Sequence, residues 1–141
     1  MEISEVRNRV TQTIDRARRE AADRRARNDE AGRAFEALLA DVAVPLFKQI
    51  ANVLKIENYP FTVFTPSGSV RLMSDRSSQD FIELSLDTTA GDARVICHTS
   101  RARGGHVLEA EVVVGSGAPE SITDQDLLAF LLKELEPFVE R

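Results

Sequence analysis

Between Phe61 and Val114 the sequence alternates apolar and polar side chains in five short runs, and each gap between runs holds turn-forming or polar residues. A period of two places successive side chains on opposite faces of a strand. The runs are Phe61–Thr65, Val70–Met73, Phe81–Leu86, Ala93–Thr99 and Val107–Val114. They predict a five-stranded antiparallel meander with one buried face, which takes in Phe61, Val70, Leu72, Ile82, Leu84, Val95 and Cys97, and also Leu108, Ala110 and Val112 of the last run. Glycines in Pro66-Ser67-Gly68-Ser69, Ala90-Gly91-Asp92 and Arg103-Gly104-Gly105 supply the positive φ that tight connections require.

A slip of one residue would turn every apolar side chain to the wrong face, so the faces restrict the register. Matching Val70 to Leu84 and Leu72 to Ile82 sets Arg71 opposite Glu83 on the second face. Matching Ala93 to Val112 and Val95 to Ala110 likewise sets Arg94 opposite Glu111. Opposite charges in both places are what a solvent-facing second face of an antiparallel sheet would carry. The same registers line up Thr62, Met73, Phe81, His98 and Val107 in one less polar row, with Arg94 beside it. That row is a candidate ligand or partner stripe, and a helix or second subunit lying over it is the plainer expectation.

Ahead of the sheet, residues 2 to about 43 are rich in Ala, Arg and Glu and hold no proline before Pro45, which predicts one long helix. Ile3, Val10, Ala17, Arg24, Ala31 and Leu38 recur every seven residues, and Ile14, Ala21, Asn28, Phe35 and Val42 run beside them. Such a narrow stripe suits pairing with another helix, and Ile3, Val10, Ile14, Ala17, Ala21, Ala31, Phe35 and Leu38 are the candidate oligomerisation residues. A helix of some forty residues is about 60 Å long, more than the width of a domain this size. Pro45 predicts a kink or break, and a second helical segment follows it to Glu57. Thr123 and Asp126 form a capping box before a last helix, whose Leu128, Leu131, Leu132, Leu135, Phe138 and Val139 are read as covering the sheet.

The predicted fold is therefore α+β: a long N-terminal helix kinked or broken near Pro45, a five-stranded antiparallel meander, and a C-terminal helix packed on the sheet. Residues 1–44 form a helical arm and residues 45–141 a compact body. No apolar run approaches the roughly 20 residues of a membrane span, and the N-terminus lacks a secretory signal's apolar core. Both points argue against a membrane partner and for a cytoplasmic protein of bacterial type.

The chemistry-bearing residues are few. Cys97 and His98 are adjacent on a strand and point to opposite faces, so they do not share a metal. Cys97 falls on the buried face, which suits a small apolar residue better than a nucleophile. Glu109 and Glu111 share a face but have no cleft, and neither glycine-rich loop has the lysine of a phosphate cradle. The sequence thus names no catalytic residue, no metal and no cofactor. Net charge is −5, unevenly placed: six arginines in Arg16–Arg27 against Glu20 and Asp23 give a local +4, while Gly104–Arg141 carries −6. A basic segment at one end and an acidic one at the other can attract each other, within or between chains. The arginines Arg16, Arg18, Arg19, Arg24, Arg25 and Arg27 are the candidate nucleic-acid contacts, opposed by the chain's acidity and its lack of tryptophan. The leading expectation is a non-enzymatic interaction or adaptor module, a homodimer through its N-terminal helix that also meets a protein partner. Nucleic-acid binding by the arginine block, and ligand binding or catalysis on the Met73/Phe81/His98 stripe, are the alternatives.

Overall fold

A computed structural model describes residues 1–140. It is an α+β structure: helix α1 (Ile3–Leu38), a π-helical segment (Leu39–Ala43), α2 (Val44–Ile56), strands β1 (Phe61–Phe64), β2 (Ser69–Ser74), β3 (Phe81–Asp87), β4 (Arg94–Arg103) and β5 (His106–Val113), then α3 (Asp124–Leu135). The strands form one antiparallel sheet in sequence order, β1-β2-β3-β4-β5.

The irregularity predicted at Pro45 takes the form of the π segment, and the helix runs on without a break from Ile3 to Ile56. Pro45 has no N–H, and its ring would clash with the carbonyl four residues back. One wide turn relieves this: Val44 N–H donates to the Leu39 carbonyl, five residues earlier. Fifty-four residues make a rod of about 80 Å. By length and composition alone this helix could cross a membrane, which corrects the expectation that no stretch qualifies. Leu38, Ala43, Phe47, Ala51 and Leu54 of this helix are buried in the core, but only 28% of its most apolar stretch is buried, and Val53 and Ile56 are exposed.

The core lies between the helices and one sheet face. Phe35, Leu38, Phe47 and Leu54 of the long helix and Leu127, Leu131 and Leu135 of α3 join Phe61, Val70, Leu72, Ile82, Leu84, Val95 and Cys97 of the strands. Thr123 caps α3 as expected, its hydroxyl accepting from Asp126 N–H at 3.1 Å while the Asp126 carboxylate accepts from Thr123 N–H. The covering face of α3 is centred on Leu127, which is fully buried, whereas Leu132 is exposed.

The β2–β3 register is the predicted one, with Val70 opposite Leu84, Arg71 opposite Glu83 and Leu72 opposite Ile82. The β4–β5 register differs by four residues: Cys97, not Ala93, faces Val112, and Thr99 faces Ala110. An even slip preserves the faces, so alternation could not detect it. The tight connection Gly104-Gly105, both at positive φ, sets it instead, because Arg103 and His106 pair directly across that two-residue turn. Glu111 therefore faces His98, not Arg94, whose partner on β3 is Asp87. The helical layer also stops short of β5, so Leu108, Ala110 and Val112, expected in the core, are exposed.

Candidate interaction surfaces

Three surfaces remain after the core is filled: the projecting end of α1, the outer side of the α2–α3 pair, and the open sheet face with its β5 edge.

The helix first meets the body at Arg27 and Asn28. Arg27 Nη2 donates to Asp92 Oδ1 at 3.0 Å. Asn28 Oδ1 accepts from Ala93 N–H at 2.9 Å, and its Nδ2 donates to the Gly91 carbonyl at 3.4 Å. Side-chain contacts between the helix and the strand connection thus begin near residue 27. Ahead of that point almost every side chain is exposed. Ile3 (81% exposed), Val10 (52%) and Ile14 (44%) keep their stripe bare, and Ala17 is exposed with them. Ala21 and Ala31 are half-buried. Phe35 and Leu38, read as oligomerisation residues, are buried in the chain's own core and cannot meet a partner. One stripe thus serves two ends of the helix, buried in the chain's own core at Phe35 and Leu38 and uncovered from Ile14 to Ile3.

Arg16, Arg18, Arg19, Arg24 and Arg25 are exposed on the same arm. Among the described residues no carboxylate pairs with any of these five. Arg27 is engaged by Asp92.

Sequence reasoning missed the second surface. Leu46, Val53, Leu128 and Leu132 of α2 and α3 line an open apolar groove of about 280 Å³. A second cleft of about 290 Å³ continues it, sharing Leu46, Gln49 and Leu128 and rimmed by Asp41 and Asp124. The signal was present: leucines at 127, 128, 131, 132 and 135 spread over more of α3 than one contact with a sheet can cover.

On the open sheet face, Thr62, Met73 and Phe81 share a row as predicted, but the row continues to Ser100 and Glu109 instead of His98 and Val107. His98 sits opposite Glu83 and Val107 opposite Ala102. Phe81 and His98 still touch edge to face, ring centroids 5.3 Å apart. The Arg71 guanidinium lies 4.0 Å from the Phe81 centroid and its Nε donates to Glu83 at 3.0 Å. His98 Nε2 lies 3.3 Å from Glu109 Oε1. Arg94 is four residues from His98 along β4, about 13 Å away, and is not part of this group. The polar ends of Arg71 and His98 are thus met by neighbouring carboxylates, and none of the described pockets is lined by Met73, Phe81 or His98.

Cys97 is buried, and desolvation, with Glu134 adding to it, pushes its thiol up to about 12. It is protonated at neutral pH and a poor nucleophile. Among the described residues no three metal-ligating side chains come together. The chain matches no protein-family model, no curated protein and no solved structure, so its surfaces are what its function is read from.

Proposed function

We propose that this chain is a non-enzymatic protein–protein interaction module, of adaptor type, that self-associates through its N-terminal helix. The observation that carries this reading is the stripe buried at Phe35 and Leu38 and bare at Ile3, Val10 and Ile14. Covering each exposed aliphatic contributes on the order of 1 kcal/mol, and a projecting helix has no other part of its own body within reach. A cytoplasmic setting belongs to the same reading, since a lone buried thiol needs no oxidising compartment.

Sedimentation of the full chain at tens of micromolar tests it. The wild type is expected to sediment as a dimer, and Val10→Glu with Ile14→Glu as a monomer. A monomeric wild type would remove the proposal. A second reading draws on the five unpaired arginines of the arm, which suit a phosphate backbone. It predicts steeply salt-dependent binding of duplex or single-stranded nucleic acid. Absence of a mobility shift at low salt ends it.

A further inference from the structure

The geometry points to a specific receptor for the arm: we propose that the N-terminal helix of one copy docks into the groove between α2 and α3 of a second copy. The inference rests on the self-association reading above and names the surface that the arm meets.

The groove is apolar and open. Val53 on its α2 side is 59% exposed and Leu132 on its α3 side is 49% exposed, and half-buried Leu46 and Leu128 and buried Leu54 and Leu135 also line it. Paired helices with an apolar trough between them take an amphipathic third helix, read by anchors three and four residues apart. The arm presents such anchors at Ile3, Val6, Val10 and Ile14, each exposed.

Charge selects the occupant and its direction. Moving from Val53 toward the start of α2, the apolar groove passes into the cleft rimmed by Asp41 and Asp124. Moving from Val10 toward the body, the arm passes from aliphatic residues to Arg16, Arg18 and Arg19. Apolar and charged parts meet their counterparts when the arm lies antiparallel to α2, with Ile3 and Val6 toward the Val53 end and the arginines toward Asp41 and Asp124. On the arm, Val6 to Arg18 spans twelve residues, about 18 Å, and Val53 to Asp41 along the long helix spans twelve residues, also about 18 Å. These lengths match within a helical turn or so. The wider balance, +4 over Arg16–Arg27 against −6 over the C-terminal segment, favours the same approach.

The chain's own arm cannot reach this groove. The groove's α2 wall is the continuation of the helix that carries the arm, without a break from Ile3 to Ile56, so the arm points away from it. The occupant is therefore a second copy. Parallel pairing of two arms in register is the competing arrangement, and it sets Arg24 against Arg24 on the stripe and brings the two arginine blocks together.

Two full-length variants, altered only at exposed positions, separate these arrangements. One carries Val10→Glu and Ile14→Glu in the arm, and the other Val53→Glu and Leu132→Glu in the groove, with circular dichroism to confirm the fold. Val53→Ser with Leu132→Ser repeats the test if glutamate disturbs the helices. Sedimentation is expected to show each variant monomeric alone and an equimolar mixture forming a one-to-one complex, because the first retains a groove and the second an arm. Asp41→Asn with Asp124→Asn is expected to weaken wild-type association about tenfold. A groove variant that self-associates as well as the wild type assigns the contact to two arms and overturns the inference while leaving self-association standing. A mixture that fails to associate overturns it as well. A monomeric wild type removes the inference and the reading beneath it together.

Discussion

Asn28 Oδ1 accepts the Ala93 backbone N–H at 2.9 Å, a contact between residues 65 positions apart that joins the long helix to the β3–β4 connection. It turns Asn28, an interruption of the apolar stripe, into one of the two outermost anchors of the helix, beside Arg27. The neighbouring Arg27–Asp92 pair is largely exposed on both sides. Asn28→Ala strands a half-buried amide and is expected to cost about 1–2 kcal/mol in urea unfolding, against at most ~1 kcal/mol for Arg27→Ala. Hydrogen exchange at Ala93 should rise in the first variant alone. Equal and negligible effects would show that the helix is held only by the core below it.

The thiol of Cys97 carries a pH dependence whose sign follows from its raised pKa. The folded state holds this proton up to about 12, while the unfolded chain releases it near the ordinary value of 9.0. The unfolded state therefore binds fewer protons between those values, and stability falls as pH rises through that window. Below pH 9 the group contributes no slope. Alkaline unfolding of the wild type is expected to show this loss, and Cys97→Ala to flatten it at some cost in packing at neutral pH. Native protein at pH 8 should resist a maleimide that labels the urea-unfolded chain at once.

Strand β5 is an eight-residue edge without proline, lysine or bulge, exposed along nearly its whole length. Glu109 and Glu111 are its charged residues. In antiparallel pairing of two β5 edges about Ala110, Glu109 of each copy faces Glu111 of the other, and like charges directly opposite disfavour the pair. Glu109→Thr with Glu111→Thr removes this barrier and leaves Leu108, Ala110 and Val112 bare. Light scattering and thioflavin fluorescence are expected to rise in the variant at neutral pH and stay flat in the wild type. A variant that remains as dispersed as the wild type would show that the edge is guarded by something other than its glutamates.

Much of this fold follows from short-range pattern. Alternation from Phe61 to Val114 specifies five strands and their faces, because side-chain direction in a strand depends only on parity. The capping box of Thr123 and Asp126 and the burial of Cys97 are local in the same sense. Pro45 announced a defect, and a missing donor must disturb the ladder whatever surrounds it; a widened turn instead of a break depends on the core holding both halves of the helix in line. The candidate stripe on the open face was only partly legible, since an even register slip is silent in alternation, and Phe81 and His98 touch diagonally where they were read as direct neighbours.

The sequence by itself determined the elements, the inward face of each strand and the existence of a helical stripe longer than one body, since periodicity and turn chemistry are properties of neighbouring residues. Only the tertiary structure decided which half of that stripe is covered, that β5 lies beyond the helical layer, and that α2 and α3 leave a groove between them. Those outcomes depend on where a finite number of helices sit over a sheet, and burial is a property of the whole packed molecule, which no single segment encodes.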